Sequence, residues 1–187
     1  MNPLAQTLEA EFTKRSELLP VSKLLLNAWT AEYALRIKPL HCDREYLNQA
    51  LNWFFPQAYY AVLFSVRAVL AVDDIRMTSQ DEIEKLMNQW AKAGADGPVY
   101  TQQGNPFEGL TQYRIKADSK PRLMSGPEAA ALHINLIKKV DQVNTTLETY
   151  IHNRLGTYLY AMLISNAPDY LRRDYLQLRA QLVLNPS

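Results

Sequence analysis

Wound as a helix, the run from Tyr59 to Val72 is apolar on nearly every face. A helix of that kind is stable in water only when other helices enclose it. The wider stretch Leu51–Val72 would satisfy the length criterion for a bilayer span, but it carries Asn52, Pro56, Gln57 and Arg67. An arginine near a bilayer centre costs about 2.5–3.5 kcal/mol on insertion scales. The reading is therefore the central helix of a soluble, cytoplasmic protein with no membrane partner. Composition agrees, because Leu and Ala total 47 of 187 residues, Val and Ile 17, and Gly only 6. Straight-chain apolar residues and alanine favour helix over sheet. The expected class is all-α: a multi-helix bundle forming a single domain over residues 1–187.

The flanking segments supply the enclosing helices. Residues 4–38 place Leu8, Phe12, Leu18, Leu25, Trp29, Tyr33 and others at helical spacings, and Pro20 is expected to divide them into two helices. Asp43 is the expected N-cap of a helix from Arg44 to Phe55, which Pro56 should kink or end. Ser79-Gln80-Asp81-Glu82 is a capping box, and the helix it starts should stop near Gly94. Four glycines and two prolines follow between Gly94 and Gly109, so residues 94–112 read as a flexible loop insertion.

Ser125-Gly126-Pro127-Glu128 repeats the box. Leu132, Leu136, Val140, Val143, Leu147 and Tyr150 then recur at steps of 4, 4, 3, 4 and 3, the strongest amphipathic pattern in the chain. Gly156 should bend or interrupt this helix near its end. A last helix, begun at Asn166 and Pro168, can bury Tyr170, Leu171, Tyr175, Leu178 and Leu182.

Twenty basic residues against nineteen acidic ones leave a net charge of +1, which excludes a uniformly basic nucleic-acid binder. Local imbalance survives that sum. Arg114, Lys116, Lys120 and Arg122 face only Asp118 within their segment, forming a candidate anion or phosphate patch. Arg67, alone in an apolar helix, must pair with a carboxylate such as Asp74 or Asp118, or bind an anion in a cleft between helices. Tyr59 and Tyr60 read as core or interface residues. Arg172, Arg173 and Arg179, set among Asp169 and Asp174, read as a salt-bridged surface face.

No Gly-rich phosphate loop, HExxH or paired-histidine motif is present. Cys42 is the sole cysteine, so neither an internal disulfide nor a Cys-based zinc site is expected. His41, Cys42, Asp43 and Glu45 bear ligand-type side chains but read as a helix start. No metal or cofactor is expected.

The run Gln57-Ala58-Tyr59-Tyr60-Ala61-Val62-Leu63-Phe64-Ser65-Val66-Arg67-Ala68-Val69-Leu70 resembles the central helix of the HEPN family, with its AYYA-type run followed by Arg and Leu. Tyr113-Arg114-Ile115-Lys116-Ala117-Asp118, leading into the Ser125 box, is similar to the Arg-x-x-Ala-Asp segment of one HEPN branch. The resemblance spans about residues 57–151. It implies a HEPN-like core with extra N- and C-terminal helices, a homodimer, and an RNA or protein partner. Nuclease members of that family place a histidine four to six residues after an arginine. Here Arg114 has no such histidine, His133 lies nineteen residues on, and His152 precedes Arg154 by two. The expected function is thus a non-catalytic, HEPN-like binding or interaction module, possible RNA association being carried by the basic segment. The alternative is a divergent HEPN-type ribonuclease, of a toxin or defence kind, in which folding brings His133 or His152 to Arg67 or Arg114.

Overall fold

The computed structural model describes residues 3–37, 44–114 and 126–184. These form an all-α, multi-helix bundle with no strand among them. Its helices are α1 (Pro3–Arg36), α2 (Arg44–Val72), α3 (Gln80–Ala93), α4 (Gly126–Leu155), α5 (Thr157–Ser165), the single turn α6 (Asp169–Leu171) and α7 (Gln177–Leu184). A π-helical segment, Arg172–Leu176, joins the last two.

One proline does not act as expected: α1 runs unbroken through Pro20. Pro56 lies inside α2, which continues past it to Val72. An internal proline removes one backbone hydrogen bond and costs about 3 kcal/mol. In α1 the buried stripe Leu18, Val21, Leu25, Ala28, Trp29 and Leu35 outweighs that loss; Phe55, Ala58, Tyr59, Val62 and Val66 do the same in α2. The Asp43 cap and the Ser125 box lie outside the described residues.

Side-chain contacts fix the directions of the three long helices. His133, near the start of α4, touches Leu35 at the end of α1 and Phe54 in the first half of α2. Tyr150 and Arg154, at the other end of α4, bind Asp73 just beyond α2. Thus α2 and α4 run parallel, and α1 is antiparallel to both. One core cluster joins them, with Leu25, Trp29, Leu63, Val69, Val140, Leu147 and Ile151 at its centre.

Several local expectations are met. The Ser79 hydroxyl accepts from the Glu82 amide at 3.4 Å, and α3 ends at Gly94, whose φ is 57°. Leu136, Val140 and Leu147 of the α4 stripe are buried, and Gly156 separates α4 from α5. The 94–112 segment, expected as a flexible insertion, places Tyr100, Thr101, Phe107 and Leu110 in the interior and forms three single 3-10 turns. Tyr59 is a core residue, as its position in α2 implied, and Tyr60 is half-buried beside it. Trp53–Val72 is the one described stretch long and apolar enough to cross a membrane, and most of its most apolar window is buried inside the protein.

Candidate functional site

The most elaborate polar arrangement lies inside the bundle, where α1, α4 and α7 meet. Glu32 falls on the buried α1 stripe, seven residues after Leu25 and three before Leu35. Asn144 and Glu148 interrupt the buried stripe of α4 between Val140 and Ile151, and Arg179 does so in α7. Heptad positions that normally hold apolar residues therefore hold charges.

These side chains pair with one another. Arg179 Nη2 donates to Glu32 Oε2 at 2.7 Å, and Nη1 donates to Asp141 Oδ1 at 3.0 Å and to the Thr145 hydroxyl. Glu148 Oε1 lies 3.2 Å from Arg179 Nε. Arg36 Nη2 bridges Glu32 Oε1 at 2.8 Å and Asp141 Oδ1 at 2.7 Å. Asn144 donates to Glu32 Oε2 at 2.8 Å, and the Tyr160 hydroxyl to Glu148 Oε2 at 2.8 Å. The Tyr175 ring has a guanidinium 5.6 Å from its centroid twice over, from Arg36 and from Arg179.

Two guanidinium groups thus meet three carboxylates. Burial, reinforced by nearby Glu32, raises the Glu148 pKa even though Arg179 and the Tyr160 bond oppose it. Burial alone would lower the Arg179 pKa, but Glu148 and Glu32 overcome it and hold the guanidinium charged. The phenols of Tyr160 and Tyr175 are pushed well above their ordinary range, chiefly by burial. Both guanidinium groups face carboxylates contributed by other helices, so the cluster ties helices together, while Arg36 Nε and the Tyr175 hydroxyl are buried without a hydrogen-bond partner. Arg179 is accordingly not the surface residue expected from its acidic neighbours.

A second polar cluster surrounds the predicted anion patch. Arg114 Nη1 pairs with Asp81 and lies 3.6 Å from Glu84 Oε1. Glu84 Oε1 in turn accepts from the Tyr59 hydroxyl at 2.5 Å. The Tyr113 ring stacks on Phe55 at 4.9 Å, which anchors the segment carrying Arg114. The bond to Asp81 raises the Arg114 pKa, and burial with the Glu84 bond raises that of Tyr59. Two carboxylates therefore already balance the Arg114 charge. Lys116, Lys120, Arg122 and Asp118 lie outside the described residues.

The remaining candidates are dispersed. Arg67 is half-buried on the outer side of α2, and no described ion pair includes it, Asp74 being no exception. His133 Nε2 lies 2.7 Å from the Leu35 carbonyl oxygen, which can only accept, so Nε2 carries the proton. Its ring stacks on Phe54 at 4.5 Å. His152 Nε2 contacts the Thr157 hydroxyl at 3.1 Å, and Arg154 Nε lies 3.3 Å from Asp73. The described contacts bring neither histidine to Arg67 or Arg114.

Between the 94–113 segment and α4 lies an open polar groove of about 350 Å³, with Tyr100 and Val143 beneath Gln103, Asn105, Lys139 and Gln142. No group of three or more His, Cys, Asp or Glu among the described residues could hold a metal, and His41, Cys42 and Asp43 lie outside them.

Sequence reasoning missed the Arg179 cluster. The signal was present, because Glu32, Glu148 and Arg179 each sit in register with apolar neighbours one helical turn away. Comparison with protein-family models, curated proteins and solved structures yields no match for this chain.

Proposed function

We propose that this protein is a non-catalytic helical interaction module of HEPN-like kind. The observation that carries the reading is where the two described histidines are engaged. His133 is buried against the Leu35 carbonyl and Phe54, and His152 is held at the α4–α5 junction by Thr157. Acid–base cleavage of RNA by a histidine needs the imidazole within hydrogen-bond reach of a site that it shares with a phosphate-binding cation. Arg114 is bound to Asp81 and Glu84 instead.

RNA is the ligand class proposed for the module, on the strength of the basic residues Lys116, Lys120 and Arg122 that follow Arg114 in the sequence. Binding of a labelled single-stranded RNA, followed across a salt series, tests this role. Affinity should fall steeply with salt, and reversing charge at Lys116 together with Lys120 should weaken it. Flat salt dependence, or no binding by the purified chain, removes RNA as the ligand.

A further inference from the structure

The segment after α3 is pinned to the core at two places, through buried Tyr100 and Thr101 and again through buried Pro106 and Phe107. Between these anchors residues 102–105 form an arch, with Gln102 and Gln103 exposed and Gly104 and Asn105 half-buried. Backbone bonds close it: the Gly104 amide donates to the Thr101 carbonyl and the Glu108 amide to the Asn105 carbonyl, each at 3.0 Å. Lys139, Gln142, Val143 and Thr146, at steps of 3, 1 and 3, are the face of α4 that fronts the arch. The groove between them, about 350 Å³, has the size of a small-molecule site.

Its polar groups are uncommitted. Lys139 is half-buried, yet no described ion pair includes it or Glu108. A Cβ at Gly109 would lie 3.8 Å from Lys139 Nζ, and one at Gly104 3.8 Å from Glu108 Oε2. The cation thus rests by Gly109 and the carboxylate by Gly104. Asn105 Oδ1 accepts from the Phe107 amide at 2.9 Å, which fixes the carboxamide and leaves its N–H groups to donate. The carboxamides of Gln103 and Gln142 make no described hydrogen bond.

We infer that this groove binds a small zwitterion, a free α-amino acid, with its carboxylate on Lys139 and Asn105 and its ammonium on Glu108. The inference goes beyond the RNA reading and does not rest on it. The two opposite charges select the class. A lone anion would meet Lys139 but be repelled by Glu108, and a lone cation the reverse. A neutral sugar would draw both charges out of water and pair neither. A ligand carrying both charges pairs both groups. Tyr100 and Val143 beneath give its side chain an apolar floor, and Gln103 and Gln142 supply amide donors and acceptors around it.

Isothermal titration calorimetry of the full chain against each of the standard L-amino acids tests the site. At least one should bind with a Kd of about 1 mM or tighter. Its N-acetyl derivative and its methyl ester should each bind the wild-type chain about tenfold or more weakly, because each lacks one charge. Lys139→Met and Glu108→Gln should weaken binding likewise, with circular dichroism unchanged. Absence of binding by every amino acid overturns the inference. So does binding that the blocked derivatives match, binding that survives both substitutions, or tighter binding of glucose than of any amino acid. None of these readouts depends on whether the chain binds or cleaves RNA.

Discussion

Arg179 Nη2 lies 2.7 Å from Glu32 Oε2 across 147 residues of sequence, with both side chains buried. The pair fastens the last helix to the first. Because Arg179 also reaches Asp141, Thr145 and Glu148, it is the hub of the contact between α7 and α4.

Removing that hub should be severe. Breaking one partner of a buried ion pair leaves the other charge unpaired and costs about 3–5 kcal/mol. Arg179→Ala should lower the unfolding free energy by that amount, read from urea denaturation. Arg179→Lys should recover little, because one ammonium cannot replace a planar fork that faces Glu32, Asp141 and Glu148 together. A loss below about 1 kcal/mol for Arg179→Ala would contradict the role assigned to the cluster.

Glu148 should give the fold a pH dependence. Its folded pKa is raised, so the folded state binds its proton more tightly than the unfolded state does. That contribution to stability is fully present below the unfolded glutamate pKa of about 4.3 and is lost as pH rises through the folded pKa. Glu148→Gln removes the titration, and its carbonyl oxygen can still face Arg179 while its amide donates to the Tyr160 oxygen. The stability of Glu148→Gln relative to wild type should therefore improve as pH rises above the unfolded value. Chemical denaturation at several pH values measures this difference, and a difference that moves the other way would reverse the assigned shift.

Much of the local structure was legible because its causes are local. The Ser79 box and the Gly94 stop each depend on residues within one turn. The α4 stripe is a periodicity within one helix, and the apolar α2 run foretold an enclosed helix. Pro20 misled because its cost is local, whereas the burial that outweighs it comes from other helices. Arg179 was read against Asp169 and Asp174, its neighbours in sequence, but its partners lie 38 and 147 residues away. Tyr100, Phe107 and Leu110 sit among turn residues, and nothing in that stretch reveals that they fill a gap beside α2 and α4.

The turn after α3 should be intolerant of a single methyl group. A Cβ at Gly97 would come 2.4 Å from the Trp90 carbonyl oxygen, a backbone atom that cannot swing aside. Gly97→Ala should destabilise by about 1–3 kcal/mol and increase amide hydrogen exchange at Tyr100 and Thr101. Unchanged exchange there would show that the turn accommodates the methyl without moving.

The pair between Arg114 and the carboxylates of Asp81 and Glu84 is partly exposed, so its contribution should be small and salt-dependent. Arg114→Ala should cost about 0.2–1 kcal/mol at low ionic strength and less at high salt. Thermal melts at two salt concentrations read this directly, and a salt-independent loss would point to packing of the arginine stem instead.

On the proposed reading, His133 and His152 serve the fold and not the cleavage of RNA. Incubating purified wild type, His133→Ala and His152→Ala with labelled single-stranded RNA tests it most directly. Circular dichroism on each sample confirms that the chains are folded. RNA should remain intact in all three samples, indistinguishable from a protein-free blank. Cleavage by wild type that disappears in a folded histidine variant would contradict it.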